Sequence, residues 1–279
     1  MKKELVLGLA TLILFVLNLF SWNFLLFLNE NEFRVIFFDV GQGDAILIRT
    51  PQNHHILIDG GPGEKILEKL EDEIPFLYKH IDLVILTHPH YDHVSGLFGV
   101  IEYYDVEEII CTGVTGEERV SRKWKKLLKK EGYKKAMAGK RISGNNFYLD
   151  ILYPEEELKG KKVSDLNEAS VVSRFVFDDS YSFLFTGDAY KKQEGEILDS
   201  CNQECDLDTD ILKVGHHGSN TSTSEKFLLE TSPSEAVIMV GKDNPYGHPH
   251  RDVIRRLKSF GVEVRRTDKE GDIIFKKEM

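Results

Sequence analysis

The residues best suited to chemistry lie in one short run directly after the aliphatic stretch 83–86: His88, His90, Asp92 and His93. Imidazole nitrogens and carboxylate oxygens bind zinc and related divalent ions. The alternate positions His88 and His90 can face one ion while Asp92 and His93 turn toward a second. Chance histidines in a solvated loop rarely form His-x-His-x-Asp-His directly after an apolar strand. The run therefore predicts a centre that binds two divalent ions.

Three more apolar stretches end in side chains of the same kind: Asp59, Asp188, and the pair His216 and His217. Loops at one edge of a sheet can converge on a site. We therefore expect Asp188 to be a bridging carboxylate, although a lone aspartate in such a position more often stabilises its own turn. Whether Asp59 coordinates a metal or orients a ligand from behind stays open.

Short apolar runs separated by turn residues position these side chains in a 279-residue chain of ordinary globular composition. The pattern predicts strands at 33–38, 45–49, 54–58, 83–86, 108–110, 147–152, 171–177, 181–185, 211–214, 236–239, 262–264 and 273–275. Helical periodicity occurs at about 64–71, 97–103, 117–131, 190–199, 224–231 and 250–259. No repeat or long linker interrupts residues 32–279, so we expect one α/β domain with helix-covered sheets.

The N-terminal segment has a different character. Residues 5–29 carry no charge, and as a helix about 25 residues at about 1.5 Å each span the roughly 30 Å hydrocarbon core of a bilayer. The apolar run continues without the small residues of a cleavage site, which favours an uncleaved anchor over a cleaved signal peptide. Lys2 and Lys3 favour a cytoplasmic N-terminus. We predict a single-pass membrane anchor at 1–31 and an extracytoplasmic domain at 32–279, secreted if the segment is cleaved.

Several motifs together resemble the metallo-β-lactamase superfamily: the run 88–93, Asp59-Gly60, Gly187-Asp188 and His216-His217-Gly218. Further stretches within residues 33–279 resemble the hydrolase domain of ComEC-type DNA-uptake proteins. They are Phe38-Asp39-Val40-Gly41-Gln42-Gly43-Asp44-Ala45, Asn167-Glu168-Ala169-Ser170-Val171-Val172, His216-His217-Gly218-Ser219 and Tyr246-Gly247-His248-Pro249. The resemblance implies a four-layer αββα sandwich with a two-metal hydrolytic centre at one edge of the sheets. It leaves the substrate open.

The resemblance also gives each ligand of the run a role. His88 and His90 would bind the first metal, Asp92 and His93 the second, and Asp188 would bridge the two. Zinc is the expected metal, with manganese as the alternative. Two divalent ions activate a water molecule and stabilise negative charge on a phosphoryl or acyl oxygen, so no serine or cysteine nucleophile is needed.

The last ligand of each metal site is assigned separately, and the sequence departs from the superfamily pattern at one of the two sites. His217 is favoured over His216 as the last ligand of the second site, which leaves His216 to contact a substrate phosphate. The superfamily usually has a third histidine between the run and the bridging aspartate, and none lies between residues 93 and 188. Asn167 or Ser170 stands where the ComEC-like group places its substitute. Either is a weaker ligand than imidazole, so we expect the first metal site to be the less well provided.

Other residues are expected to assist the ligands. Asp92, His216 and His248 are predicted to take part in catalysis, with His248 as a proton donor or phosphate contact. A turn histidine that faces water is the alternative for His248. A glycine-flanked loop precedes the second strand, and glycine permits unusual backbone angles near a site. The residues expected to support the centre from a second layer are Gln42, Asp44, Asp59, Asn167 and Ser170.

Charge adds one feature that bears on partners. The net charge is -10, so the protein as a whole does not attract nucleic acid. Residues 119–141 are the exception, with eleven basic residues against one acid. In a helix, Val120, Trp124, Leu127 and Leu128 form an apolar stripe that docks on the domain. The opposite face is either an ordinary solvated surface or a patch for a polyanion such as DNA, teichoic acid or membrane head groups.

The cysteines give limited information. Three are too few for a disulfide framework. Cys201 and Cys205 are close enough in sequence to pair in an oxidising compartment, and Cys111 is then left free.

Taken together, these features predict a membrane-anchored, external, metal-dependent phosphodiesterase, specifically a nuclease that acts on DNA. Two alternatives remain. One is a hydrolase of a lactam or of a non-nucleic ester or envelope polymer, of the phosphocholine or teichoic acid type. The other is a noncatalytic binding domain that keeps metal for stability. No protein partner is predicted, and no second long apolar run follows, so we do not expect this chain alone to form a channel.

Overall fold

The structure is a computed structural model that describes residues 2–28, 32–161, 163–201 and 205–278. The helices are α1 (Lys2–Leu28), α2 (Lys65–Glu73), α3 (Tyr91–Val94), α4 (Leu97–Tyr103), α5 (Arg119–Glu131), α6 (Lys191–Cys201), α7 (Glu225–Thr231), α8 (Arg251–Ser259) and α9 (Thr267–Glu270). Short 3-10 turns lie at Leu166–Ala169 and Gly215–Gly218. The predicted boundary between anchor and domain, at residue 31, falls in the segment 29–31, outside the described residues.

Among the described residues, fourteen strands form two sheets of seven. The strands are β1 (Glu32–Phe37), β2 (Ile46–Arg49), β3 (His55–Ile58), β4 (His80–Ile85), β5 (Asp105–Cys111), β6 (Lys134–Lys135), β7 (Arg141–Ser143), β8 (Phe147–Tyr153), β9 (Val172–Phe177), β10 (Tyr181–Phe185), β11 (Ile211–Lys213), β12 (Glu235–Ile238), β13 (Glu263–Arg266) and β14 (Ile273–Glu278). The first sheet has the order β14-β1-β2-β3-β4-β5-β6 and the second β13-β12-β11-β10-β9-β8-β7.

The direction of the strands decides where the loops meet. β3, β4 and β5 are parallel in the first sheet, and β10 to β13 are parallel in the second. Parallel strands have their carboxyl ends at the same edge of a sheet. We call the edge formed by the ends of β3, β4, β10 and β11 the ligand edge, because the predicted ligands follow these strands.

Successive side chains of a strand point to opposite faces of its sheet, and this alternation gives each sheet an inner and an outer face. Phe33, Val35 and Phe37 of β1 face inward and join Phe175 and Phe183 of the second sheet in a core between the sheets. The rings of Phe33 and Phe177 stack with centroids 4.1 Å apart. This core buries apolar surface from both sheets, which holds them face to face.

The outer face of each sheet is covered by helices. Leu57 and Val84 of the first sheet pack against helices α2, α4 and α5, and Leu184 and Leu212 of the second pack against α6, α7 and α8. The continuous aliphatic run in β4 follows from this arrangement, because that strand is covered on both faces. The order of layers is helix, sheet, sheet, helix, and the predicted αββα sandwich is confirmed.

The basic segment docks as its stripe predicts. Trp124 and Leu128 are buried in the outer core of the first sheet, with Val120 and Leu127 partly buried beside them. The sequence pattern gives no sign of the short edge strands β6 and β7. These strands carry lysine and arginine, which the pattern assigns to polar surface, and an edge strand needs only one paired neighbour.

The N-terminal helix α1 is long and apolar enough to cross a membrane between Lys3 and Trp22, with a mean hydropathy of 2.3. Its described side chains are exposed, including Leu5, Phe15 and Trp22. A helix that is apolar on every face and not covered by protein is typical of a membrane span or a signal sequence.

Candidate metal centre

Asp59 lies behind the histidine run. Its carboxylate is fully buried, and it accepts hydrogen bonds from the Thr87 N–H at 2.8 Å and the Thr87 hydroxyl at 2.7 Å. The Nδ1 of His93 lies 2.7 Å from the same carboxylate and donates to it. The Nε2 of His93 therefore faces away from Asp59, toward the cavity. This geometry favours the orienting role for Asp59, a role that ligating histidines commonly require.

Asp188 lies at the middle of the cluster, at the end of the loop after β10. Its Oδ2 is 3.4 Å from His93 Nε2 and 3.5 Å from His217 Nε2. The same oxygen is 3.9 Å from His88 Nε2 and 3.8 Å from His216 Nε2. One carboxylate oxygen thus faces four imidazoles that come from two sheets. This is the position that a bridging carboxylate needs.

The two adjacent histidines after β11 have different surroundings. His217 is buried, its Nδ1 donates to the Met239 carbonyl at 2.8 Å, and its Nε2 is 3.3 Å from Asp92 Oδ2. His216 is more exposed, and its Nε2 lies 3.4 Å from the Asn167 amide nitrogen. The backbone of both is left-handed, with φ of 49° and 53°, which turns successive side chains to different sides. Of the two histidines, His217 is the one placed beside Asp92.

The ligands predicted for the first site, His88 and His90, do not both face Asp188. His88 Nε2 lies 3.1 Å from His90 Nδ1, so these nitrogens face one another. Ser170 Oγ is 3.3 Å from His88 Nδ1, on the side away from the Nε2. The Asn167 Oδ1 is buried without a hydrogen-bond partner in the described part of the chain. Of the two substitutes for the third histidine, Asn167 is therefore the one with a free oxygen.

Donor atoms converge in the two groups that matter most. His88, His93 and Asp188 form one group whose ligand atoms lie within 4.8 Å of one another, and Asp92, His93 and His217 form another. Within the described residues, the buried Nε2 atoms of His93 and His217 have no hydrogen-bond partner, and neither does Asp188 Oδ1. Buried polar atoms without partners are rare in folded proteins and call for an explanation. These residues fit divalent ions, which would bind the orphaned atoms.

The electrostatics of the cluster agree with that interpretation. Burial by itself would raise the pKa of Asp188, but His217, His93 and Lys213 hold that pKa well below its usual range. Burial by itself would lower the pKa of His217, but Asp188 and Asp44 raise it to about 10. The carboxylates of this pocket therefore require positive charge close by.

The sequence pattern missed one residue of the centre, Lys213. Its side chain is buried, and its Nζ donates to the Gly187 carbonyl at 2.7 Å and forms an ion pair with Asp44. It also lies 3.6 Å from Asp188 Oδ1. Asp44 in turn has its Oδ1 3.4 Å from His217 Nδ1. A lysine inside an otherwise apolar strand was the available signal, because such a residue is almost never buried without a partner.

A loop between β1 and β2 approaches the run closely. The Asp44 N–H donates to the Asp92 carbonyl at 3.2 Å. A Cβ on Gly43, whose φ is 144°, would lie 2.1 Å from the same oxygen. Only glycine allows this approach. Gly43 therefore lets the backbone of this loop lie against the histidine run.

The ligands open into a cavity of about 300 Å³. It is lined by Gln42, His90, Tyr91, Asp92, Glu118, Asn167, Asp188, His216, His217, Tyr246 and His248. His248 is held by Asn244, which accepts from its N–H at 3.1 Å and donates to its carbonyl at 2.7 Å. Its ring centroid is 5.6 Å from that of His216. The structure therefore brings His248 to the cavity, where it can reach a substrate.

Residues 38–242 match the sequence model of the Metallo-beta-lactamase superfamily, and the chain belongs to that superfamily. Among its relatives, ComE operon protein 3 of Bacillus subtilis is 30% identical over 91% of this chain and 34% of its own length. The metallo-beta-lactamase fold protein YhfI of Bacillus subtilis has a TM-score of 0.52 at 14% identity, covering 88% of this chain and 99% of that structure. A diphosphatase of the PhnP family has a TM-score of 0.50 at 15% identity, covering 89% and 100%.

These likenesses have different weight. The two structural neighbours show the fold alone, because their sequence identity is low. A second relative, the Competence protein ComA of Neisseria gonorrhoeae, is 31% identical over 88% of this chain and 32% of its own length. These two relatives confirm the predicted resemblance to ComEC-type proteins, and the chain spans about a third of the length of each. The protein is therefore a member of a metal-binding hydrolase family with competence proteins among its homologues.

Proposed function

We propose that this protein is a membrane-anchored, externally facing phosphodiesterase that cleaves DNA at the centre around Asp188. One observation carries the choice of a polyanionic substrate. Glu118, the residue directly before α5, lines the cavity of the centre. The most basic helix of an acidic protein therefore begins at the rim of its hydrolytic site, where a long anionic chain would cross both.

The exposed face of α5 is available for a phosphate backbone. Within the described residues, six of its basic side chains are exposed and make no ion pair: Arg119, Arg122, Lys123, Lys125, Lys126 and Lys129. Farther along, the ammonium groups of Lys134 and Lys135 pair with Glu108 and Glu157. The uncompensated charge is thus on the helix itself. Backbone phosphates supply most of the binding energy in contacts of this kind.

The side chains of the centre suit hydrolysis of a phosphodiester. Two divalent ions held by these residues would supply an activated water and positive charge opposite the phosphate. Asp188 presents one oxygen to both groups of ligands, and Asp59 keeps His93 oriented. His216 and His248 line the cavity beside Asp188, where they can donate hydrogen bonds to phosphate oxygens or to the leaving group.

The predicted external location has two supports. Helix α1 has the length and hydropathy of a membrane span and begins with two lysines. Cys201 and Cys205 form a disulfide, and disulfides persist mainly in oxidising compartments. Cys111 is buried and free. Protease added to intact cells should digest the domain and spare an N-terminal tag, whereas protection of the whole chain would reverse the orientation.

The activity is tested on the purified full chain in detergent. We expect cleavage of single-stranded DNA and of bis-p-nitrophenyl phosphate that requires added divalent metal and stops with a chelator. A chromogenic lactam should stay intact. Cleavage of the small diester without DNA would favour an ester or envelope-polymer substrate. Metal binding with no hydrolysis of any of the three would favour the noncatalytic alternative.

A further inference from the structure

The edge opposite the ligand edge contains the starts of several strands of the first sheet. The register aligns Arg34 with Arg49, Arg49 with His55, and His80 with Asp105, so β1, β3, β4 and β5 begin on the same side. We call this side the anchor edge, because β1 is the first strand after α1. The centre around Asp188 lies at the other side.

The tether to the helix is short. Only three residues separate Leu28, the end of α1, from Glu32, the start of β1. Four steps of extended chain span at most about 14 Å. A helix that spans a bilayer therefore holds the anchor edge close to the lipid head groups.

A loop on the anchor edge exposes two large apolar side chains. Phe76 and Leu77, between α2 and β4, are 72% and 55% exposed. The same loop is tied to the start of β1, since Glu73 at the end of α2 lies 3.4 Å from the Arg34 guanidinium. Two adjacent large apolar side chains on a loop tip are costly in water.

The conformation of this loop keeps those side chains outward. Ile74 is buried in the outer core, and Tyr78 packs against the same core. The Tyr78 N–H donates to the Pro75 carbonyl at 2.8 Å, which closes a tight turn. The ammonium group of Lys79 lies 4.6 Å from the centre of the Phe76 ring. An outward aromatic ring with an adjacent lysine is the combination found at the boundary between lipid and water.

We propose that the loop 75–79 inserts Phe76 and Leu77 into the head-group region of the same bilayer that α1 spans. This inference rests on the membrane anchoring in the proposed function. The loop gives the domain a second attachment, so the domain has a preferred orientation instead of turning freely on its tether. Because a six-residue strand is about 20 Å long, the centre around Asp188 then faces away from the membrane, toward a polymer in solution.

The test uses the full chain reconstituted into liposomes of phosphatidylcholine and phosphatidylglycerol, with an environment-sensitive fluorophore on a single new cysteine. The native cysteines do not interfere, because Cys111 is buried and Cys201 is bonded to Cys205. The label is placed by Leu77→Cys on the loop. The matched control is Met137→Cys, a partly exposed apolar position that follows β6 at the carboxyl ends of the first sheet.

We expect lipids brominated near the head group to quench the label at position 77 and leave the label at position 137 unquenched. Adding Phe76→Asp to the Leu77→Cys chain should remove most of that quenching, since a carboxylate opposes insertion. Equal quenching at both positions, or none at position 77 in liposomes that carry the chain, overturns the docking. A chain that fails to float with the liposomes overturns the anchoring as well. Hydrolysis of a small phosphodiester is measured in the same samples and reports on the proposed activity separately.

Discussion

The candidate metal centre and helix α5 are two strongly charged regions of this protein, and they are built in opposite ways. The centre draws its residues from at least five separate segments, and they are mostly buried. The charge of α5 comes from consecutive turns of one helix and is exposed to water. The buried charges of the centre act over a few ångströms, on whatever group lies at the centre. Contiguous exposed charge acts at longer range and is screened by salt.

The difference also shows in what each region requires of the fold. Buried carboxylates such as Asp188 and Asp44 are unfavourable unless cations face them, and the protein provides Lys213 and histidines on several sides. The lysines of α5 need no such partners. Their helix is held by Trp124 and Leu128 on the opposite face. A change in the centre should therefore have a large and specific effect, and a change on α5 a small and graded one.

The largest effect is expected from Asp188→Asn. A neutral amide cannot supply the shared anionic oxygen, so both metal sites should weaken. Mutation of a residue that only orients a metal ligand lowers metal affinity or activity by about 10- to 100-fold. Since Asp188 would itself be a ligand, we expect at least about a 100-fold loss of hydrolysis. Metal content by mass spectrometry and turnover of a small diester measure this. Asp178→Asn, in the turn between β9 and β10 at the opposite edge, is the control. Loss of one metal equivalent alone would show that Asp188 does not bridge.

A sharper test concerns the neighbours His216 and His217. His217→Ala should lower the metal content, since its Nε2 faces Asp92 and Asp188. His216→Ala should retain the metal and lower the turnover rate. Titration of each variant with zinc or manganese distinguishes them. If His216→Ala is the variant that loses metal, the two roles are exchanged.

A smaller effect is expected from Asp59→Asn, because Asp59 acts on the metal through His93. An asparagine replaces one of the two acceptor oxygens with an NH2 group that donates, so it cannot accept from both Thr87 and His93 as Asp59 does, and His93 loses its fixed orientation. We expect metal affinity to fall by about 10- to 100-fold and saturating metal to restore most of the activity. Asp82→Asn makes the same change beside His54 at the anchor edge and should leave affinity intact. Activity that added metal does not restore would contradict the positioning role.

The smallest effect is expected on α5, from glutamine at Lys125, Lys126, Lys129 and Lys130. The docking stripe is untouched, so the fold should survive. Affinity for single-stranded DNA should fall, and the slope of log affinity against log salt should flatten by about 0.7 for each phosphate that the helix no longer binds. Hydrolysis of a small diester should persist. The control carries the same charge change on other helices, at Lys192, Lys226, Lys258 and Lys269. An unchanged slope would remove the main support for a nucleic-acid substrate.

The sequence by itself determined most of the architecture. Alternating and continuous apolar runs located every described strand except β6 and β7, and the stripe around Trp124 predicted the docked face of α5. Four of the segments that supply the centre were also visible, because each places a ligand type directly after an apolar strand. Local pattern suffices here, since strand period and chain order are properties of neighbouring residues.

Tertiary structure alone decided how these segments meet. Only the packing of the two sheets places Lys213 against Asp44 and Asp188, and only the hydrogen bonds of Thr87 and His93 turn Asp59 into a support. The position of Glu118 at the cavity and the contact between Glu73 and Arg34 of β1 likewise depend on how the sheets and helices pack. These contacts join residues far apart in the chain. Their distances follow from how sheets and helices pack together, a relation that the order of residues along the chain does not contain.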